Sequence, residues 1–175
     1  MNDLYCDSWP IQVAEPGPRD PVSRVSAQEE YLGKHLGPLL LSSPPAQLAS
    51  AHSWHFMRYL DPEHLPVSGI AIVLRVLGTS EALDTTHAPL EAAFTGHLGQ
   101  GLVARFVRED RSSWVHTVGP EYGGPGVAEP WAQFLAASSW LTLSLLAEPV
   151  RAFQKRNLVV AHWSHCFGLI TKCEG

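Results

Sequence analysis

Charge is what this sequence has least of. Asp, Glu, Lys and Arg together make up 17% of its 175 residues, against about 25% in ordinary soluble domains. The acidic residues outnumber the basic ones, 17 to 12, for a formal net charge of -5. A chain with no basic excess has little to neutralise a phosphate backbone with, which argues against nucleic acid as a partner. A basic protein suits the sign better. Cysteine is also scarce: Cys6, Cys166 and Cys173 are odd in number and form no C-x-x-C pair. That excludes a disulfide framework and a zinc ribbon and implies free thiols in a reducing compartment. No stretch approaches the roughly 18 consecutive apolar residues of a membrane span. The opening "MNDLYCDSWP" lacks the apolar centre of a secretory signal. The expectation is a soluble, cytoplasmic protein with no membrane contact.

Several catalytic signatures are missing too. The sequence has no G-x-S-x-G, no H-E-x-x-H, no G-x-G-x-x-G and no phosphate-cradling G-x-x-x-x-G-K, so serine-hydrolase, zinc-peptidase and nucleotide chemistry lose their usual markers. Glu29, Glu30, Glu109 and Asp110 lie in polar stretches, where carboxylates are solvated, and they suggest no acid–base pair. No cofactor is expected.

What is present supports one domain with a substantial core, since 45% of the residues are hydrophobic. Residues 7–24, with four prolines, read as an extended stretch, so 1–24 is set apart as a lead-in to a single domain over 25–175. Ser26 and Glu29 have capping-box spacing for a helix through Tyr31 and Leu32 that ends near Gly33 or Gly37. "SSPPAQ" (42–47) reads as a second helix start. Residues 46–60 fork between a helix and a strand; helix to about Ser53 and strand after it is the favoured reading. "GIAIVLRVL" (69–77) is β-branched, apolar and closed by Gly78, as in a strand covered on both faces. A helix is expected over 87–102, with Pro89 in its first turn and Leu90, Phe94 and Leu98 on one stripe. Two strands are expected around "REDRSS", a short helix over 130–138, a strand over 140–146 from the alternation of Leu141, Leu143 and Leu145, and a last strand over 158–172. Helices interleaved with hairpin-like strands give an α+β fold, a mixed or antiparallel sheet flanked by helices.

Nine histidines are the main chemical candidates. His52 and His55, three apart, are close enough on a helix to share a metal, with His116 and either His162 or His165 completing the set. That arrangement is the basis of one reading, a metal-dependent enzyme. The competing reading leaves the pair as histidines packed beside Trp54. In "HWSHC", His162 and His165 point to opposite faces of a strand, and His162 lies roughly 13 Å from Cys166 along it, too far for a nucleophile and its base. Six tryptophans supply possible contact anchors. Trp114 and Trp131 flank the glycine-rich loop 119–131, and with His116 and Tyr122 they form the expected partner surface.

Read in order, several segments resemble the suppressor-of-fused domain in its small bacterial form. Trp54-His55-Phe56 stands where that family has a Trp-His-aromatic strand. "GIAIVLR" keeps Gly69 and Arg75 at the spacing of a Gly-to-Arg strand, with Ala71 in place of the family's glutamate. "LGQGLVARFV" (98–107), His116 to Pro120, "LLAEP" (145–149) and the strand from 157 follow in the same order, while residues 1–45 lie outside the likeness. The resemblance implies a binding fold without an active site. The leading expectation is therefore a non-enzymatic protein-binding domain, an immunity or antitoxin-like protein that neutralises a basic toxin by binding it.

Overall fold

The computed structural model describes residues 4–14, 21–41, 48, 51–59, 71–114 and 124–147, with the backbone alone at 21–25, 59, 71, 124 and 125. Strands β1 (Tyr5–Val13), β2 (Ser53–Tyr59), β3 (Ala71–Gly78), β4 (Val103–Phe106) and β5 (Ser112–Ser113) form one sheet. Its order is β2-β3-β1-β4, β5 also pairs with β1, and every pairing is antiparallel. Helices α1 (Pro21–Tyr31), α2 (Gly37–Leu41), α3 (Ser80–Gly99) and α4 (Ala128–Ala147) flank it. A π-helical turn (Leu32–Leu36) joins α1 to α2, and a 3-10 turn (Gly124–Val127) leads into α4. The α+β architecture expected from the sequence is the one found.

The alternation of β3 between two buried faces sorts the core into two layers. Ile72, Leu74 and Val76 join Trp9 and Ile11 of β1 and Trp54 and Phe56 of β2 on one face, under Leu32, Leu36, Leu83, Leu90 and Phe94 from the helices. On the other face Cys6 and Leu77 pack with Trp114, Ala128 and Ala132. Helix α4 serves both layers: Ala132 belongs to the second and Leu143 to the first. Between them the Ser139 hydroxyl accepts from the Phe56 N–H at 3.0 Å and reaches the Phe56 carbonyl at 3.4 Å. The side chain thus occupies ladder groups on the side of β2 where, among the described residues, no further strand pairs.

Four local expectations change. Residues 5–13 are extended, as read, but they form an inner strand of the sheet instead of a lead-in. Pro10 fits there because its carbonyl accepts from Val107 N–H at 3.1 Å, so its missing donor falls on the side where the ladder breaks between β4 and β5. The first helix starts at Pro21 and runs through Gly33 and Gly37 by way of the π turn. Helix α3 begins at Ser80, capped by Thr79, whose side chain accepts from Ala82 N–H at 3.3 Å, so Pro89 lies inside it. Residues 140–146 are helical, the second half of α4, and no strand. The strand reading of 53–59 and the strand before "REDRSS" hold, but β5 falls on the last two residues of that stretch, Ser112 and Ser113, and does not continue into Trp114; β4 and β5 both pair with β1. The expected helix start at 42–47 and the last strand over 158–172 lie outside the described residues.

Candidate functional site

A cleft of about 360 Å³ opens where the end of β1 (Val13, Ala14), α1 with the π turn (Ala27, Glu30, Tyr31, His35) and the turn before β4 (Gly101, Leu102) meet. Its far wall depends on a tight reversal after α3. Gly101 has φ +71, a left-handed conformation open to glycine without strain. The turn is fixed by the Gly101 N–H to the Leu98 carbonyl and the Leu102 N–H to the His97 carbonyl, both at 3.0 Å. The Leu102 carbonyl then accepts from Ala14 N–H at 3.0 Å, closing the sheet at the cleft. This geometry brings the last turn of α3, with His97, against α1.

Two rings that line the cleft, Tyr31 and His35, pack with a third behind it. Tyr31 and His35 lie four residues apart on one helical face with ring centres 5.9 Å apart. His97 meets Tyr31 edge-on at 5.6 Å and His35 at 6.0 Å. The Tyr31 hydroxyl is 3.0 Å from His97 Nδ1. Burial pushes the Tyr31 phenol above its ordinary range, so it stays protonated and is the natural donor of this bond. Burial first, and then the neighbouring His35, hold His97 below the usual histidine range. A neutral His97 that accepts at Nδ1 carries its proton on Nε2. The π turn sits at this point because its two glycines pack closely: a Cβ on Gly37 would come 2.9 Å from the Leu32 carbonyl, and one on Gly33 3.2 Å from the Leu146 carbonyl. Such turns recur beside functional sites.

A second polar cluster ties β1 to the loop before β5. The Asp7 carboxylate, 2% exposed, accepts from Arg108 at 3.0 Å and from Arg111 at 2.8 and 3.2 Å. Arg111 also reaches Asp84 at 2.9 Å and the Ser80 hydroxyl at 2.8 Å. Each carboxylate is answered by a guanidinium, the pattern of a structural clasp.

The sequence-predicted residues do not come together. His55 is fully buried on β2 opposite Arg75 of β3, with Trp114 edge-on at 5.4 Å. Burial, aided by Arg75, pushes it down to about 3. Among the described residues neither of its ring nitrogens has a hydrogen-bond partner. His52 is exposed and pairs instead with Glu129 at 2.9 Å. Among the described residues no group of three or more His, Cys, Asp or Glu side chains is placed to hold a metal ion, so the metal-enzyme alternative built on His52, His55 and His116 finds no support. Cys6 is buried, and its thiol is pushed up to about 11, chiefly by that burial, which removes it as a nucleophile at neutral pH. Trp114 is 1% exposed and donates to the Ala128 carbonyl at 2.8 Å, a core role. Trp131 is half-buried and stacks on Phe134 at 5.2 Å. His116, Tyr122, His162 and His165 lie outside the described residues. Sequence reading missed Tyr31, His35 and His97. The spacing of Tyr31 and His35 was a local signal, but nothing local tied them to a histidine 66 positions away.

A family model described as lantibiotic biosynthesis dehydratase C-term matches residues 23–173. Among solved structures, the tRNA dependent lantibiotic dehydratase MibB from Microbispora sp. 107891 is similar in fold, with a TM-score of 0.59 and 24% identity. The likeness covers 81% of this chain and 12% of that one, so the chain spans a small part of MibB's length. No curated protein matches. The family match overturns the resemblance to suppressor-of-fused domains, and with it the immunity, antitoxin-like and toxin-binding reading. The segments that carried the resemblance, Trp54-His55-Phe56 and the run to Arg75, are the paired strands β2 and β3. An aromatic strand beside an apolar one is what any buried antiparallel pair looks like in sequence, which is why the order of motifs misled.

Proposed function

We propose, from the premise that this chain belongs to the family of lantibiotic biosynthesis dehydratase C-terminal domains, that it takes part in the dehydration step of lantibiotic biosynthesis. Its substrate is then a peptide residue that carries an oxygen on Cβ. Its partner is the remainder of a dehydratase, consistent with a chain that spans 12% of MibB. The observation that carries this reading is the family match over residues 23–173.

Dehydration of such a residue removes the α-proton, forms a Cα=Cβ double bond and breaks the Cβ–O bond. The chemistry calls for a base near neutrality and a proton for the departing oxygen, roles in which histidine is the commonest side chain. Among the described residues, the cleft lined by His35 and Tyr31 and backed by His97 offers both room for a side chain and proton-transfer groups. A net charge of -5 favours assigning any RNA contact to other parts of the machinery. The free thiol of Cys6 fits a cytoplasmic location, and among the described residues no helix is long and apolar enough to cross a membrane.

Mass spectrometry of the precursor peptide tests the proposal. With the rest of the dehydratase present, the peptide should lose water when this chain is added. If the chain makes no difference to the peptide's mass, the proposal is wrong.

A further inference from the structure

We infer that Tyr31, His97 and His35 form one proton-holding unit, in which His35 meets the substrate in the cleft, Tyr31 beside it bonds the second histidine, and His97 braces the pair from behind. The inference rests on the dehydration reading and deepens it by naming the residues at work. His35 and Tyr31 line the cleft, whereas His97 is not among its described lining residues. The two rings lie 6.0 Å apart, close enough that a charge on one opposes a charge on the other. The Tyr31 hydroxyl, 3.0 Å from Nδ1 of His97, fixes the neutral tautomer of that ring. The other titratable groups beside His35 are on its own helical segment: Glu30, which lines the cleft, and Lys34, paired with Glu30 at 2.7 Å. Among the described residues, the facing walls, from the end of β1 and the turn before β4, contribute Val13, Ala14, Gly101 and Leu102 and no charge.

The step balances without a further reagent. Neutral His35 takes the α-proton of the peptide residue, and the C–H electron pair becomes the second bond of Cα=Cβ. The Cβ–O bond breaks, and its electron pair leaves with the oxygen. The His35 imidazolium returns the proton to that oxygen, which restores neutral His35.

Two measurements on the full chain test the unit. The first is an NMR pH titration of the imidazole carbon-bound protons in the wild type and in His35→Asn. Because His35 helps to depress His97, the His97 titration should move to higher pH in the variant. A His97 curve that does not move shows that the rings are uncoupled and overturns the unit. The second is peptide dehydration in the reconstituted system. His35→Asn should slow it about 100-fold, the lower end of what a general base contributes. Tyr31→Phe and His97→Gln should change the pH dependence of the rate more than its maximum. An unchanged rate in His35→Asn removes the cleft from the chemistry. A wild-type chain that dehydrates nothing instead refutes the functional reading itself, while the NMR result stands independently of that failure.

Discussion

Tyr31 and His97 hydrogen-bond at 3.0 Å although 66 positions separate them in sequence. The bond fastens α1 to the last turn of α3 at the back of the cleft. Tyr31 is 2% exposed, and among the described residues His97 is the partner of its hydroxyl. Tyr31→Phe removes the bond and leaves a ring nitrogen of His97 with nothing to accept. The expected loss is about 1 kcal/mol of unfolding free energy, read from urea denaturation curves with an unchanged slope. A variant as stable as the wild type shows that the bond contributes nothing to the packing of α1 on α3.

Asp7 is the buried end of the second polar cluster. Removing its charge leaves Arg108 and Arg111 facing a neutral group, although Arg111 keeps Asp84 and Ser80. Breaking a buried pair from one side costs about 3 kcal/mol. Asp7→Asn should show a loss of that order in denaturant unfolding, together with faster amide exchange at Glu109, whose N–H bonds Ser8.

His55 makes stability depend on pH in a direction that follows from its burial. The folded protein holds it neutral down to about pH 3, whereas an unfolded histidine takes up a proton near 6.5. Below that pH the unfolded chain binds the extra proton and is favoured. The His55 contribution is complete above pH 6.5 and falls as the pH drops toward 3, by about 2 kcal/mol at pH 5. Denaturant curves at pH 7 and pH 5 for the wild type and His55→Leu isolate it. The wild type should lose that much more stability on acidification than the variant, and equal losses contradict a neutral buried His55.

The π turn depends on a missing side chain. A Cβ at Gly37 would come 2.9 Å from the Leu32 carbonyl, which is backbone and cannot swing aside. Gly37→Ala should therefore destabilise by about 1–3 kcal/mol, in the range of other overpacking changes. Gly96→Ala, where a Cβ meets nothing within 4 Å, is the control and should be neutral or slightly stabilising, because alanine is the better helix former. Thermal unfolding of the two variants side by side checks both.

How much of this was legible in the sequence varies by element for physical reasons. β3 announced itself because a strand covered on both faces is a continuous β-branched run. β2 followed from alternation, since Trp54 and Phe56 face one core layer and His55 the other. Helix α4 hid its second half because it is apolar on several sides. It packs beside β2, the π turn and α2, so Leu141, Leu143 and Leu145 imitate a strand's period of two and no 3.6-residue stripe stands out. β1 hid behind its prolines, because the one place that tolerates Pro10 in an inner strand is defined by a ladder break about a hundred residues away in the chain. The site hid for a related reason. Its rings come from a helical segment that was read as ending at a glycine and from the far end of α3, and only the reversal at Gly101 brings them together. His52 and His55, by contrast, looked paired because their spacing was read on a helix. With His55 on β2 and His52 in the bend before it, the same spacing separates them.

The most direct test of the whole account is the mass of the precursor peptide after incubation with a reconstituted dehydratase that carries either the wild-type chain or His35→Asn. The account predicts loss of water with the wild type and a peptide left almost entirely unmodified over the same time with the variant. Equal dehydration by both chains contradicts the cleft as the working site, and unmodified peptide with both contradicts the function.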